Sequence, residues 1–231
     1  MFCSQFVLPL SQRKDDMPTK KGWKDEYWLM LMYLYLKKPT GVKPLYSRHL
    51  IDLAMELHLP PKYLYRKMFQ LRRLSTPRLE RLWNEYYDKP RKIAKGVMML
   101  RQMNGFNNAE AFYDGVEMNE SFETDFKPLS TAPDIKPIIL VLILDLYFRL
   151  TPKTMVEETP EIKELANLTK VSTERIVQVM NIYQCCDPYL HREQLPTDML
   201  SQACQRIWQQ WGNDKPENLY AYATQLKEYF K

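Results

Sequence analysis

From Leu57 to Leu79 the sequence carries six cations, Lys62, Arg66, Lys67, Arg72, Arg73 and Arg78, and no Asp or Glu. The nearest carboxylates are Glu56 and Glu80. Surfaces that only need to stay solvated usually mix both signs, so this stretch suits a polyanion. At 100° per residue, Leu64, Met68 and Leu71 fall on one side of a helix. Lys62, Arg66, Phe69, Gln70 and Arg73 fall on the opposite side, within about 100° of arc. Docked by its leucines and methionine, such a helix presents three cations, an amide and an aromatic ring. Those cations can hold phosphates, and Arg or Gln can reach base edges in a major groove. Arg72 and Arg78 add phosphate contacts, and Arg48 and Lys43 widen the basic footprint. The same side chains also suit plain solvation, or the acidic surface of a protein partner. Long-range charge alone does not choose between partners.

Other chemistry finds little support. The three histidines, His49, His58 and His191, are too scattered for a clustered metal site; His49 and His58 flank one helix. Four cysteines, Cys3, the adjacent Cys185 and Cys186, and Cys204, lack zinc-type spacing and read as reduced, partly buried thiols. Asp15-Asp16 and Glu157-Glu158 are adjacent pairs, which do not face each other on a helix. There is no Gly-rich phosphate loop, no Gly-x-Ser-x-Gly, no Cys-x-x-Cys and no His-Glu-x-x-His. The expectation is a protein with no enzymatic activity, no cofactor and no metal.

The elements that position the basic face are helical. Only 6 of 231 residues are Gly, against an all-β chain rich in tight turns. Apolar residues make up 45%, enough for packed cores. The longest strongly apolar run, Pro137–Leu144, is too short for the roughly 20 residues of a membrane span. The first residues lack the basic start of a secretory signal, so the cytoplasm is the expected location. The formal charge of +5 hides a split: residues 1–105 carry net +12 and residues 106–231 net −7.

A shift of 112 residues aligns the two halves without a gap. Leu34-Tyr35 falls on Leu146-Tyr147, Leu53-Ala54 on Leu165-Ala166, and Met68 on Met180. Leu50 pairs with Ile162, Leu59 with Val171 and Leu64 with Ile176. Each segment is followed by a Trp-bearing stretch and then Asp-Lys-Pro, at Asp88 and at Asp214. The chain therefore divides into a polar tail (1–22), a basic helical repeat (23–105), an acidic linker (106–134) and an acidic helical repeat (135–231). Two copies make a tandem domain, since a solenoid needs more.

In repeat one, helices are expected over Lys24–Lys38, from the N-cap Ser47 to Leu57, and over Lys62–Leu74. Two more follow near Pro77–Tyr87 and Arg91–Met103. In repeat two, Thr159 takes the capping role with Pro160 at the first helical position, and a third helix runs Glu174–Cys185. Further helices are expected near Pro196–Trp211 and Pro216–Phe230. Helix, short turn, helix, with Ala54 or Ala166 inside the first, is a helix-turn-helix-like pattern. The outward positions of the third helix in repeat two are Glu174, Gln178, Asn181, Ile182 and Cys185, with no cation. That copy suits a protein partner or self-association.

At Trp23-Lys-Asp-Glu, Leu34-Tyr-Leu-Lys-Lys-Pro, Leu50-Ile-Asp-Leu-Ala, Leu144-Asp-Leu-Tyr-Phe-Arg-Leu, Pro160-Glu-Ile-Lys-Glu-Leu-Ala and Cys186-Asp-Pro, the chain resembles the N-terminal helical module of HNH-type endonucleases. The likeness covers Gly22–Pro77 and Ile138–Leu190, a little under half of the chain. It implies an accessory DNA-binding module without the nuclease. The family's usual Lys-Leu-x-Asn-Phe run is replaced by Lys67-Met-Phe-Gln-Leu and Val179-Met-Asn-Ile-Tyr. The expectation is thus an all-α protein of two tandem trihelical repeats. The first would bind double-stranded DNA through Lys62, Arg66, Gln70, Arg72, Arg73 and Arg78. The alternative is a non-enzymatic helical module for protein interaction or assembly.

Overall fold

The computed structural model describes residues 23–103, Phe106, 122–190 and 198–231. The expected tail, most of 104–121 and His191 lie outside the described residues. The chain divides into two compact units, and their described residues are 23–103 and Phe106 in the basic unit, and 122–190 and 198–231 in the acidic one. All regular structure among the described residues is helical. No helix among them is long and apolar enough to cross a membrane.

The basic unit holds α1 (Tyr27–Leu36), α2 (Arg48–Leu57), α3 (Pro61–Arg72), α4 (Pro77–Tyr86) and α5 (Pro90–Gln102). α1 is apolar on nearly every side and buries Tyr27, Met30, Leu31, Met32 and Leu34. It packs on α2, α3 and α5, which makes it the centre of the unit. Met32, Leu71, Leu79 and Ile93 form one buried cluster, joining α1, α3, α4 and α5. Three helices here open with Pro at the first position, where the missing N–H costs nothing.

The acidic unit holds α6 (Glu123–Phe126), α7 (Pro137–Tyr147), α8 (Pro160–Thr169), α9 (Thr173–Cys186), α10 (Met199–Trp211) and α11 (Pro216–Leu226). Every residue of α7 from Ile138 to Tyr147 is buried, and α7 packs on α6, α8, α9, α10 and α11. Its one carboxylate, Asp145, is buried but accepts from Arg149 at 2.9 Å. Part of the expected linker belongs to this unit. Phe126 and Ala132 are buried, and Phe126 lies 5.3 Å from the Tyr229 ring. Apolar side chains spaced among acidic ones gave that stretch a core to join.

The helix bounds of α2 and of the start of α3 coincide, under the 112-residue shift, with those of α8 and α9. In both units a non-glycine residue in the left-handed region ends the second helix, His58 at φ 52° and Lys170 at φ 62°. The next residue, Leu59 or Val171, is buried. The His58 corner is closed by the Leu59 N–H on the Ala54 carbonyl at 3.0 Å. A Cβ at positive φ is strained and glycine relieves it, offset by glycine's greater unfolded freedom. Lys170 is exposed and Lys170→Gly is expected to stabilise the acidic unit by about 0.5–1 kcal/mol, read as a rise in melting temperature of a few degrees.

Two expected caps differ from expectation. The Ser47 hydroxyl is buried and makes no bond, and Thr159 donates to the Thr154 carbonyl instead of accepting from α8. The nearby Thr154 carbonyl captures the Thr159 hydroxyl before it can turn back over the helix. Thr76, Ser172 and Asp198 do cap, accepting from Leu79, Arg175 and Ser201 N–H groups at 3.3, 3.2 and 2.8 Å.

Cys185, Cys186 and Cys204 are free thiols. Burial pushes the Cys186 thiol up to about 11, with Cys185 adding to the effect. Burial also raises Cys204 and Tyr183, whose hydroxyl donates to the Leu140 carbonyl. Each group is held neutral in the fold, so its contribution is complete below its unfolded value and is lost as pH rises through the folded one. The acidic unit is expected to keep a level melting temperature to about pH 9 and to lose stability between about pH 9 and 11. Cys186→Ala should make that fall shallower; a melting temperature flat to pH 11 in the parent chain would contradict the assignment.

Candidate nucleic-acid interface

α3 enters through Pro60 and Pro61, which preset the backbone for a helix start. It is seated by Leu64, Met68 and Leu71, each 0% exposed. It packs on α1 and α2, and the opposite side stays open. Arg66, Gln70, Arg72 and Arg73 are exposed there. Among the described residues, no carboxylate forms an ion pair with Arg66, Arg72 or Arg73. Leu74, at φ 46°, turns the chain out of the helix, and the Ser75 N–H closes the corner on the Gln70 carbonyl at 3.3 Å.

The other cations of the expected footprint divide. Lys62 is half-buried and already engaged within the chain. Arg78 pairs with Asp25 at 2.6 Å, with both side chains more than half exposed. An exposed pair of this kind is worth about 0–1 kcal/mol, so a phosphate can compete for it. Arg48 is exposed. Lys43 does not widen the footprint: it is 6% exposed and its ammonium donates to the Lys37 and Pro39 carbonyls. The open carbonyls after α1 need a donor, and Lys43 is the one within reach. Burial, with Lys37 nearby, holds its ammonium below the usual lysine value.

Lys67 is the residue that spacing did not explain. Its Nζ lies 5.1 Å from the Trp23 ring, 5.3 Å from Trp28 and 5.4 Å from Tyr63. Burial lowers its pKa, and the ring faces offset part of that cost. One of six cations is thus committed to fastening the chain before α1 onto α3. The signal available in the sequence was the Trp23 and Trp28 pair, whose ring faces can take a cation.

The equivalent face in the acidic unit is different. Glu174, Gln178 and Asn181 are exposed, but Ile182 is 6% exposed and Cys185 half-buried. α9 packs on α10 as well as α7 and α8, which takes Ile182 out of the expected outward set. Arg175 reaches Asp134 at 3.2 Å and Gln178 at 2.6 Å. Among the described residues, no three His, Cys, Asp or Glu side chains are placed to hold a metal ion.

No family model, curated protein or solved structure matches this chain.

Proposed function

We propose that the basic unit is a non-enzymatic nucleic-acid-binding module that docks double-stranded DNA on α3. Arg66, Gln70 and Arg73 form the centre of the contact and Arg72 a flanking phosphate contact; Lys62, at the helix start, joins only by giving up its present interaction within the chain. Arg78 joins only where a phosphate displaces Asp25. The observation that carries this reading is the division of α3 itself. One side is fully buried through Leu64, Met68 and Leu71, while the exposed side holds arginines that the described part of the chain leaves unpaired. A helix fixed on one side and cationic on the other matches how helices present side chains to a groove. The correspondence of helix bounds and left-handed corners between the units supports a duplicated scaffold in which one copy has kept, or gained, the charge.

The test is an electrophoretic shift with mixed-sequence duplex DNA across a range of salt. Each phosphate neutralised releases counterions, so the three open arginines predict a log–log salt slope of about −2 to −3. Binding independent of salt, or retained by the Arg66→Glu/Arg73→Glu chain, rejects the proposal.

A further inference from the structure

We infer that the α3 face takes a DNA duplex carrying an unpaired base, with the Phe69 ring as the surface on which that base stacks. This rests on the nucleic-acid reading above and specifies the form of nucleic acid. Around α3, at 100° per residue, Tyr65 and Phe69 fall between Arg72 on one side and Lys62, Arg73 and Arg66 on the other. Both rings are partly exposed, so neither belongs to the helix's buried seat. They meet edge to face, with centroids 5.1 Å apart and planes at 82°. Such a contact favours this orientation of Phe69.

The part of the Phe69 ring left open lies among cations, and a phenyl ring gains nothing from water or from an anion. An intact duplex offers phosphates and base edges, because its base faces already stack on one another. An unpaired base offers a free π-face and is the least costly to swing out. The arginines beside the ring supply what that base also needs, cations for the phosphates next to it. Charge and ring therefore match one ligand, a duplex interrupted by an unpaired nucleotide.

The experiment compares a labelled DNA duplex with the same duplex carrying one bulged base, by fluorescence anisotropy with the whole chain at fixed salt. The bulged form is expected to bind about tenfold more tightly or better. Phe69→Ala should abolish that preference while the intact duplex binds as before, and Phe69→Trp should preserve it. Because Phe69 is partly exposed, the melting temperature of Phe69→Ala serves as the folding control. No preference in the parent chain overturns the inference. So does an equal loss on both duplexes in Phe69→Ala, which would place the ring against an intact groove, for example on a thymine methyl. A bulged RNA duplex that outcompetes the bulged DNA overturns the choice of DNA. Failure of the underlying reading looks different: the Arg66→Glu/Arg73→Glu chain would then bind intact duplex as well as the parent.

Discussion

Arg66→Glu/Arg73→Glu is expected to weaken duplex binding by roughly a hundredfold or more near 0.1 M salt, and to flatten the salt slope by about two. Two phosphate contacts are lost and two carboxylates are placed where phosphates would sit. At surface dielectric each unit charge facing another a few ångströms away is worth on the order of 1 kcal/mol or more, so the four changes add to several. Both positions are exposed and neither is ion-paired among the described residues, so the fold should hardly respond. Exposed substitutions of this kind usually stay within about 0.5 kcal/mol. A melting curve close to the parent's, together with lost DNA binding, is the expected pair of results. A similar loss from Lys163→Glu/Lys170→Glu in the acidic unit, where both lysines are exposed, would show that overall charge, and not this face, governs binding.

Leu71→Ala is expected to do the reverse. Leu71 is fully buried and sits in the cluster with Met32, Leu79 and Ile93, ringed by Trp28, Leu29, Tyr35, Leu82 and Trp83. Truncating a leucine there removes its transfer energy and leaves a cavity, at a cost of about 2–5 kcal/mol. For a unit of this size that is roughly 10 °C or more in melting temperature. The cost falls on the contact that holds α3 against α1, α4 and α5 together, so few rearrangements can refill the space. Leu71→Met, close in volume, should lose less than about 1.5 kcal/mol. Chemical unfolding of the two variants beside the parent measures the difference. Below its melting temperature the alanine chain should still bind DNA, because the arginines themselves are untouched.

Seat and face were separable in advance because a helix has a fixed period. Leu64, Met68 and Leu71 share one side whatever they pack against, and a carboxylate-free run is visible without coordinates. Lys67 and Lys43 were not legible in that way. Both are cations by type, yet one is ringed by aromatic side chains and the other closes off carbonyls six and four residues before it. The partner of a cation depends on which chain segments meet in space, and periodicity within one helix carries no such information. The same limit misplaced Ile182, whose burial arises where α9 joins several helices at once. It also misplaced the Ser47 and Thr159 hydroxyls, since a cap depends on the rotamer that neighbouring atoms permit.

The amino-acid order by itself determined the helical class, the 112-residue correspondence and the side of α3 on which its cations lie. These follow from backbone geometry, apolar spacing and proline placement, all of them local. Tertiary structure alone decided which cations remain available. Arg66, Arg72 and Arg73 stay open, Arg78 meets Asp25, and Lys43 and Lys67 turn inward. Coulombic and cation–π partners are chosen by distance in space, and residues 53 apart in sequence, such as Asp25 and Arg78, become neighbours only once the helices have packed.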